Sequence, residues 1–147
     1  MEEEIWRPIS LCPNYEVSDG GHVRNKRTGK ILRPFIDLLQ DYPRVNLFLS
    51  DGTHCRKMVH ALVMEAFRGP KPKGYEIDHI NCDRADNRLE NLRYVTPAEN
   101  RANPKTVLNN KVGNIKRLVK MWSISKEEGE RRIKDAIDEY NARYAAP

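Results

Sequence analysis

The 147-residue sequence predicts an α+β fold: an antiparallel β-hairpin layer, then a strand, loop, strand and helix motif, then a closing helical segment. Three observations predict it. Turn residues punctuate the first 60 positions and separate short apolar or β-branched runs, the texture of hairpins rather than of long helices. Two short strand-like runs then flank a polar stretch and end at a helix-start signal near Thr96. Past Asn103-Pro104 the turn-rich pattern does not return, and apolar residues recur at helical spacing in a basic background.

The elements follow in order. Turns are expected at Pro13-Asn14, Asp19-Gly20-Gly21, Thr28-Gly29 and Asp51-Gly52. Residues 44–49 and 53–59 form the clearest hairpin, because Val45, Leu47 and Leu49 alternate as a half-buried strand does. Ile31-Leu32 can pair back on the strand around Val23, which gives a three- or four-stranded antiparallel layer. From His60 to Phe67 the period changes: Leu62, Val63, Ala66 and Phe67 share one helical face, and Gly69-Pro70 stops the element. Residues 76–80 and 93–95 read as strands around the polar stretch 81–90. Thr96-Pro97-Ala98-Glu99 supplies an N-cap, a proline at the first helical position and a glutamate at the third, so Asn100 falls in the first turns of a helix. A linker is expected near 103–112. Ile115, Leu118, Val119 and Trp122 then make one amphipathic stripe, and Ser125 with Glu128 opens a last helix toward Tyr144. The resulting segments are 1–58, 59–103 and 104–147.

Composition narrows the function classes. No apolar run approaches the roughly 20 residues of a membrane helix, and the acidic start Glu2-Glu3-Glu4 lacks the pattern of a secretory signal, so a cytoplasmic protein without a membrane partner is expected. Cys12, Cys55 and Cys82 are odd in number and widely spaced, which suggests neither a disulfide framework nor a structural zinc site. The net charge is +5, and its placement is uneven. Residues 1–100 carry 15 basic and 15 acidic side chains, whereas residues 101–147 carry 11 and 6. A basic excess confined to one segment suits a phosphate backbone bound by counterion release; a solvated helical surface carries the same pattern.

The chemistry-bearing residues are Asp78-His79, Asn91 and Asn100, spread over a strand, loop, strand and helix. Adjacent strand residues point to opposite faces, but a bend at the strand end lets both serve one site. The carboxylate can hold a hard divalent cation, and an amide oxygen from Asn100 suits Mg²⁺ or Mn²⁺ better than zinc. Histidine as a residue type titrates near pH 6.5, so an imidazole here can take a proton from water near neutrality. Each residue alone has a plainer reading, since Asp-His and loop asparagines are common turn formers.

Asp78-His79, Asn91 and Asn100 at these spacings resemble the HNH nuclease motif of the ββα-metal fold, in the subgroup whose last histidine is asparagine. The surrounding residues agree: Val59-His60-Ala61-Leu62-Val63, Asp78-His79-Ile80, and the run from Asp86-Asn87-Arg88-Leu89 through Val95-Thr96. Ile5-Trp6-Arg7-Pro8-Ile9, Tyr15-Glu16-Val17-Ser18 and Gly21-His22-Val23-Arg24 are similar to the small modular domain that precedes this motif in many phage and intron-encoded homing endonucleases.

The resemblance implies that Asp78 and Asn100 bind the metal, Mg²⁺ or Mn²⁺, that His79 activates water, and that Asn91 braces the loop positioning His79. His60 matches a recurrent histidine of the subgroup and reads as a packed or hydrogen-bonded residue at a helix start. One departure is Cys82, where the family usually has glycine; cysteine reaches positive φ less readily, so a differently shaped loop is expected.

The reading is a divalent-metal-dependent DNA endonuclease of nicking or homing type, with a phage-like origin, host-cell cytoplasm and no small-molecule cofactor. The alternative is a DNA-binding module that keeps the fold without cutting, and an RNA or structured substrate is not separable by these residues. Arg88, Arg93 and Arg101 are candidate phosphate contacts, or surface ion-pair partners. The C-terminal helices fit a DNA reader or a helical pair packed on the core. One motif per chain leaves monomer and dimer open.

Overall fold

A computed structural model describes residues 2–38 and 40–144. Two three-stranded antiparallel sheets stand where one layer of three or four strands is expected. The first orders β1 (Trp6–Ile9), β2 (Cys12–Ser18) and β3 (Val23–Asn25); the second orders β4 (Phe35–Asp37), β5 (Gln40–Phe48) and β6 (His54–Met58). The division falls after Ile31, which pairs with Arg24 only as an isolated bridge while Leu32 N–H donates to the Val23 carbonyl at 2.8 Å. Pro34 follows and has no N–H to extend that ladder, so the next strand starts a separate sheet. The β5–β6 hairpin has the register the alternation requires, from Arg44 opposite Met58 to Phe48 opposite His54.

Buried Tyr15, Val17 and Val23 of the first sheet and Val45 and Leu47 of the second share one core with Val59, Leu62, Val63 and Met64. Those last residues belong to α1 (Val59–Arg68), which Gly69 ends at φ 80. Tyr15 also ties the sheets together, its hydroxyl accepting from Phe48 N–H at 3.4 Å. Arg7 docks the end of α1: it donates to the Ala66 carbonyl at 3.1 Å and stacks over Phe67.

Then come β7 (Glu76–His79), a 3₁₀ turn (Leu89–Asn91), β8 (Leu92–Val95) and the short helix α2 (Pro97–Arg101). The helix begins where the Thr96-Pro97 signal puts it.

The chain divides into two compact units between Pro97 and Ala98. Residues of the N-terminal modular segment and of the nuclease-like segment thus share the first unit. In the second, the expected linker at 103–112 is replaced by helix α3 (Pro104–Lys120). The reason is local: Asn103 caps it, its Oδ1 accepting Lys105 N–H at 2.9 Å, and Pro104 occupies the first turn, where a missing N–H costs nothing. Helix α4 (Lys126–Tyr144) folds back on α3, burying Leu108, Ile115 and Ala136. Gly129 permits the approach, since a β-carbon there would collide with Val119. Ser125 opens α4, its hydroxyl accepting Glu128 N–H at 3.1 Å.

Trp122 departs from expectation. It does not continue the Ile115, Leu118, Val119 stripe, because α3 ends at Lys120 and Trp122 leaves the helical path at φ 60, fully exposed. Among the described residues, no helix is long and apolar enough to cross a membrane.

Candidate active site

Strand β7 pairs with β8 in unbroken register, Asp78 opposite Arg93 and His79 opposite Leu92. The chain turns only after His79, so the pleat sends the two neighbouring side chains to different surroundings. Asp78 is 4% exposed, and its Oδ2 accepts from Arg93 Nε at 2.9 Å and Nη2 at 2.8 Å. A buried carboxylate needs such a cation, and a charge-assisted pair on one oxygen supplies it.

His79, 6% exposed, is held on its other side by the loop. Its Nε2 stands 2.9 Å from Asn87 Oδ1, and since an amide oxygen only accepts, Nε2 carries the proton. With Nε2 as the donor, the lone pair of the neutral tautomer lies on Nδ1, which makes no hydrogen bond with the described residues. The ring packs edge-on against His60, centroids 5.1 Å apart, and lies 6.0 Å from Tyr42.

The loop that presents Asn87 is built from asparagine and aspartate turns. Asn81 Oδ1 accepts Asp83 N–H at 2.8 Å, and Asp83 Oδ1 accepts Ala85 N–H at 3.0 Å. Asn91 closes the base: its Nδ2 donates to Asn81 Oδ1 at 3.0 Å and to the Asp86 carbonyl at 2.9 Å, and its Oδ1 accepts Asn81 N–H at 3.1 Å. Cys82 itself takes φ 60, so cysteine adopts here the left-handed conformation that glycine reaches more readily. Arg88 grips both oxygens of Asp86 and holds its pKa down to about 2.

The N-terminal segment supports this loop. Leu89 N–H donates to the Asp19 carbonyl at 2.8 Å, and Gly21, at φ 86, lets the backbone approach Asn87 so closely that a β-carbon would stand 2.8 Å from its carbonyl oxygen.

His60 is buried at the start of α1, packed on Tyr42 and His79. Its Nδ1 is buried without a hydrogen-bond partner. Burial, and secondarily charge on His79, pushes its pKa down to about 4, so the ring is neutral near pH 7.

Asp78, His79 and Asn91 all lie in the first unit, with Asp78 and His79 adjacent on β7 but facing different surroundings and Asn91 bracing the loop between the strands. Asn100 lies in α2, half-buried, on the second unit. Of the candidate phosphate contacts, Arg88 pairs with Asp86 and Glu90, Arg93 pairs with Asp78, and Arg101 is exposed at the end of α2. Among the described residues, no group of three or more His, Cys, Asp or Glu side chains is placed to hold a metal ion. The Asp78 carboxylate in the first unit is an oxygen donor of the kind that suits a hard cation keeping most of its water, as Mg²⁺ does. Sequence reasoning gave no role to Asn87, Tyr42 or Gly21. Asn87 lies inside the Asp86-Asn87-Arg88 run that carries the resemblance, whereas nothing near Tyr42 in the sequence marks it.

An Asp-His pair ending the first of two antiparallel strands, with a braced amide-rich loop between them and a helix after, defines a nuclease site of the ββα type. The HNH endonuclease family model matches residues 57–102, and the NUMOD4 motif matches residues 4–48. The solved structure of the HNH homing endonuclease I-HmuI, which concerns its DNA binding and cleavage, is similar with a TM-score of 0.59 at 30% identity, covering 80% of this chain and 68% of that one. The chain belongs to the HNH endonuclease family.

Among curated relatives, an uncharacterised HNH endonuclease of Acanthamoeba polyphaga mimivirus is 38% identical over 103 residues, 67% of this chain and 25% of that protein. Protein 3.8 of Escherichia phage T7 is 46% identical over 68 residues, 46% of this chain and 54% of that protein. The chain therefore spans between a quarter and about half of these relatives.

Proposed function

We propose that the chain is a divalent-metal-dependent DNA endonuclease of nicking or homing type that hydrolyses phosphodiester bonds in the cytoplasm of a host cell. The observation that carries this is the His79 to Asn87 hydrogen bond, which fixes the imidazole tautomer and leaves Nδ1 basic beside the Asp78 carboxylate strand. In the proposed reaction His79 Nδ1 takes a proton from the attacking water as the new P–O bond forms and the bond to the leaving oxygen breaks. Asn87 and Asn91 act earlier, by holding the ring and the loop in position. Asp78 and Asn100 are the residues that would hold Mg²⁺ or Mn²⁺, an ion that supplies positive charge at the leaving oxygen. Arg93, half-open to solvent, and Arg88 and Arg101 are the residues that would contact phosphate. The basic helices of the second unit would bind phosphates of the same DNA.

The test is conversion of supercoiled plasmid, and of genomic DNA, with Mg²⁺, Mn²⁺ or EDTA. Metal-dependent open-circle product supports the reading, and linear product places two chains on one site. Salt-sensitive DNA binding with no cleavage in any metal replaces it with a non-cutting DNA-binding module.

A further inference from the structure

The turn between α3 and α4 carries an exposed tryptophan: Trp122 is 94% exposed, with Met121 beside it at 66%. The backbone is arranged to keep it there. Trp122 N–H donates to the Val119 carbonyl at 3.1 Å and Ser123 N–H to the Leu118 carbonyl at 2.9 Å, the paired bonds that end a helix through a left-handed residue. That left-handed residue is Trp122 itself, at φ 60, where glycine is favoured and a large aromatic is strained. Core packing does not explain the choice, because the side chain packs on nothing.

The charge around it does point to a partner. From Arg101 to Lys126 there are seven basic residues and no acidic one. Lys116, Arg117 and Lys120 lie in the last turns of α3, exposed, and among the described residues none of them makes an ion pair. Apart from Glu99 in α2, the acidic residues of the unit lie on α4, where Glu128 holds Arg131 and Arg132, and Asp138 holds Lys134. An uncompensated basic edge leading to an exposed aromatic tip is complementary to a polyanion that also offers flat apolar faces.

We propose that Met121 and Trp122 form a wedge that inserts at a base step of duplex DNA, with Lys116, Arg117 and Lys120 seated on the flanking phosphates. The proposal rests on the DNA reading above and adds to it how the second unit engages the duplex, through stacking on bases and not through charge alone.

The test uses the full chain carrying Trp6→Phe, which leaves Trp122 as its one tryptophan, in EDTA so that no DNA is cut. A mixed-sequence 40-base-pair duplex and heparin are titrated separately, following Trp122 emission and, for the duplex, the anisotropy of a labelled end. The expected result is quenching by DNA but not by heparin, although both bind with salt-sensitive affinity. In the otherwise native chain Trp122→Ala should lower duplex affinity about tenfold, the scale of one lost base-stacking contact. Trp122→Gly keeps the fold in question-free form: it relieves the left-handed strain, so its melting temperature should equal or exceed wild type while its affinity falls as for alanine. Duplex binding with unchanged Trp122 emission, or with both variants within twofold of wild type, overturns the wedge and leaves the DNA reading standing. Absence of any duplex binding overturns both. A dimer in sedimentation that Trp122→Ala dissociates also overturns it, by putting a second copy on this tip.

Discussion

His79 Nε2 and Asn87 Oδ1 are 2.9 Å apart in a buried contact that decides which imidazole nitrogen is basic. Asn87→Ala removes the acceptor for that proton, frees the ring to rotate and opens the other tautomer. The expected result is a fall in cleavage rate of about 10- to 100-fold, the range seen when a partner orienting a key histidine is lost. Asn87→Asp keeps an acceptor and should recover part of it. Single-turnover cleavage at saturating metal, with circular dichroism confirming the fold, checks both.

Gly21 sits behind that contact. Gly21→Ala places a β-carbon 2.8 Å from the Asn87 carbonyl oxygen and strains a φ of 86, so the protein should lose about 1 to 3 kcal/mol in urea unfolding. Cleavage at a temperature where the variant is folded should fall as well, because the loop holding His79 is displaced. Gly52→Ala, at a similar φ of 84 in open space, should lose stability without that loss of activity.

His60 makes the unit sensitive to acid. Its pKa in the folded state, about 4, lies below the ordinary histidine value of 6.5, because burial disfavours its charged form. The unfolded chain therefore takes up the proton first as pH falls. The stability linked to His60 is complete above pH 6.5, declines through the interval down to about 4, and amounts to about 3 kcal/mol over that span. His60→Gln lacks the titrating group, so its unfolding free energy should change less with pH over this interval than that of wild type.

Arg93 balances the buried Asp78 carboxylate. Arg93→Ala takes that cation away, and the cost should be about 1 to 2 kcal/mol, reduced from fully buried pairs because Arg93 is partly exposed. If Asp78 holds Mg²⁺ or Mn²⁺, adding the ion should restore the melting temperature of Arg93→Ala more than it raises that of wild type. Equal shifts in both would place the ion elsewhere.

What was legible in the sequence follows from how local each signal is. The β5–β6 hairpin, α1 and the α2 start were readable because alternation, helical spacing and the Thr96-Pro97 cap act within a few residues. Asp78, His79, Asn91 and Asn100 stood out through spacing and resemblance. Asn87 and Gly21 did not, because their roles exist only once the 18–22 turn lies against the 86–89 loop, an encounter across more than 60 residues. The split into two sheets hung on one missing N–H, at Pro34. Asn103-Pro104 reads as a break by its residue types, whereas asparagine before proline is equally a helix start, and only the continuation to buried Leu108 and Ile115 decides between them. Trp122 fitted the stripe by spacing, and the helix ended two residues before it.

The central claim is that His79 is the base and the metal is bound without it. The most direct measurement compares single-turnover nicking of supercoiled DNA by wild type and His79→Ala at equal Mn²⁺, with Mn²⁺ affinity measured on the same two proteins by calorimetry. The account predicts that His79→Ala loses about 10²- to 10⁴-fold in rate, the usual contribution of a general base, while its Mn²⁺ affinity stays within a few-fold. Cleavage by His79→Ala at the wild-type rate, or loss of Mn²⁺ binding along with activity, would contradict it.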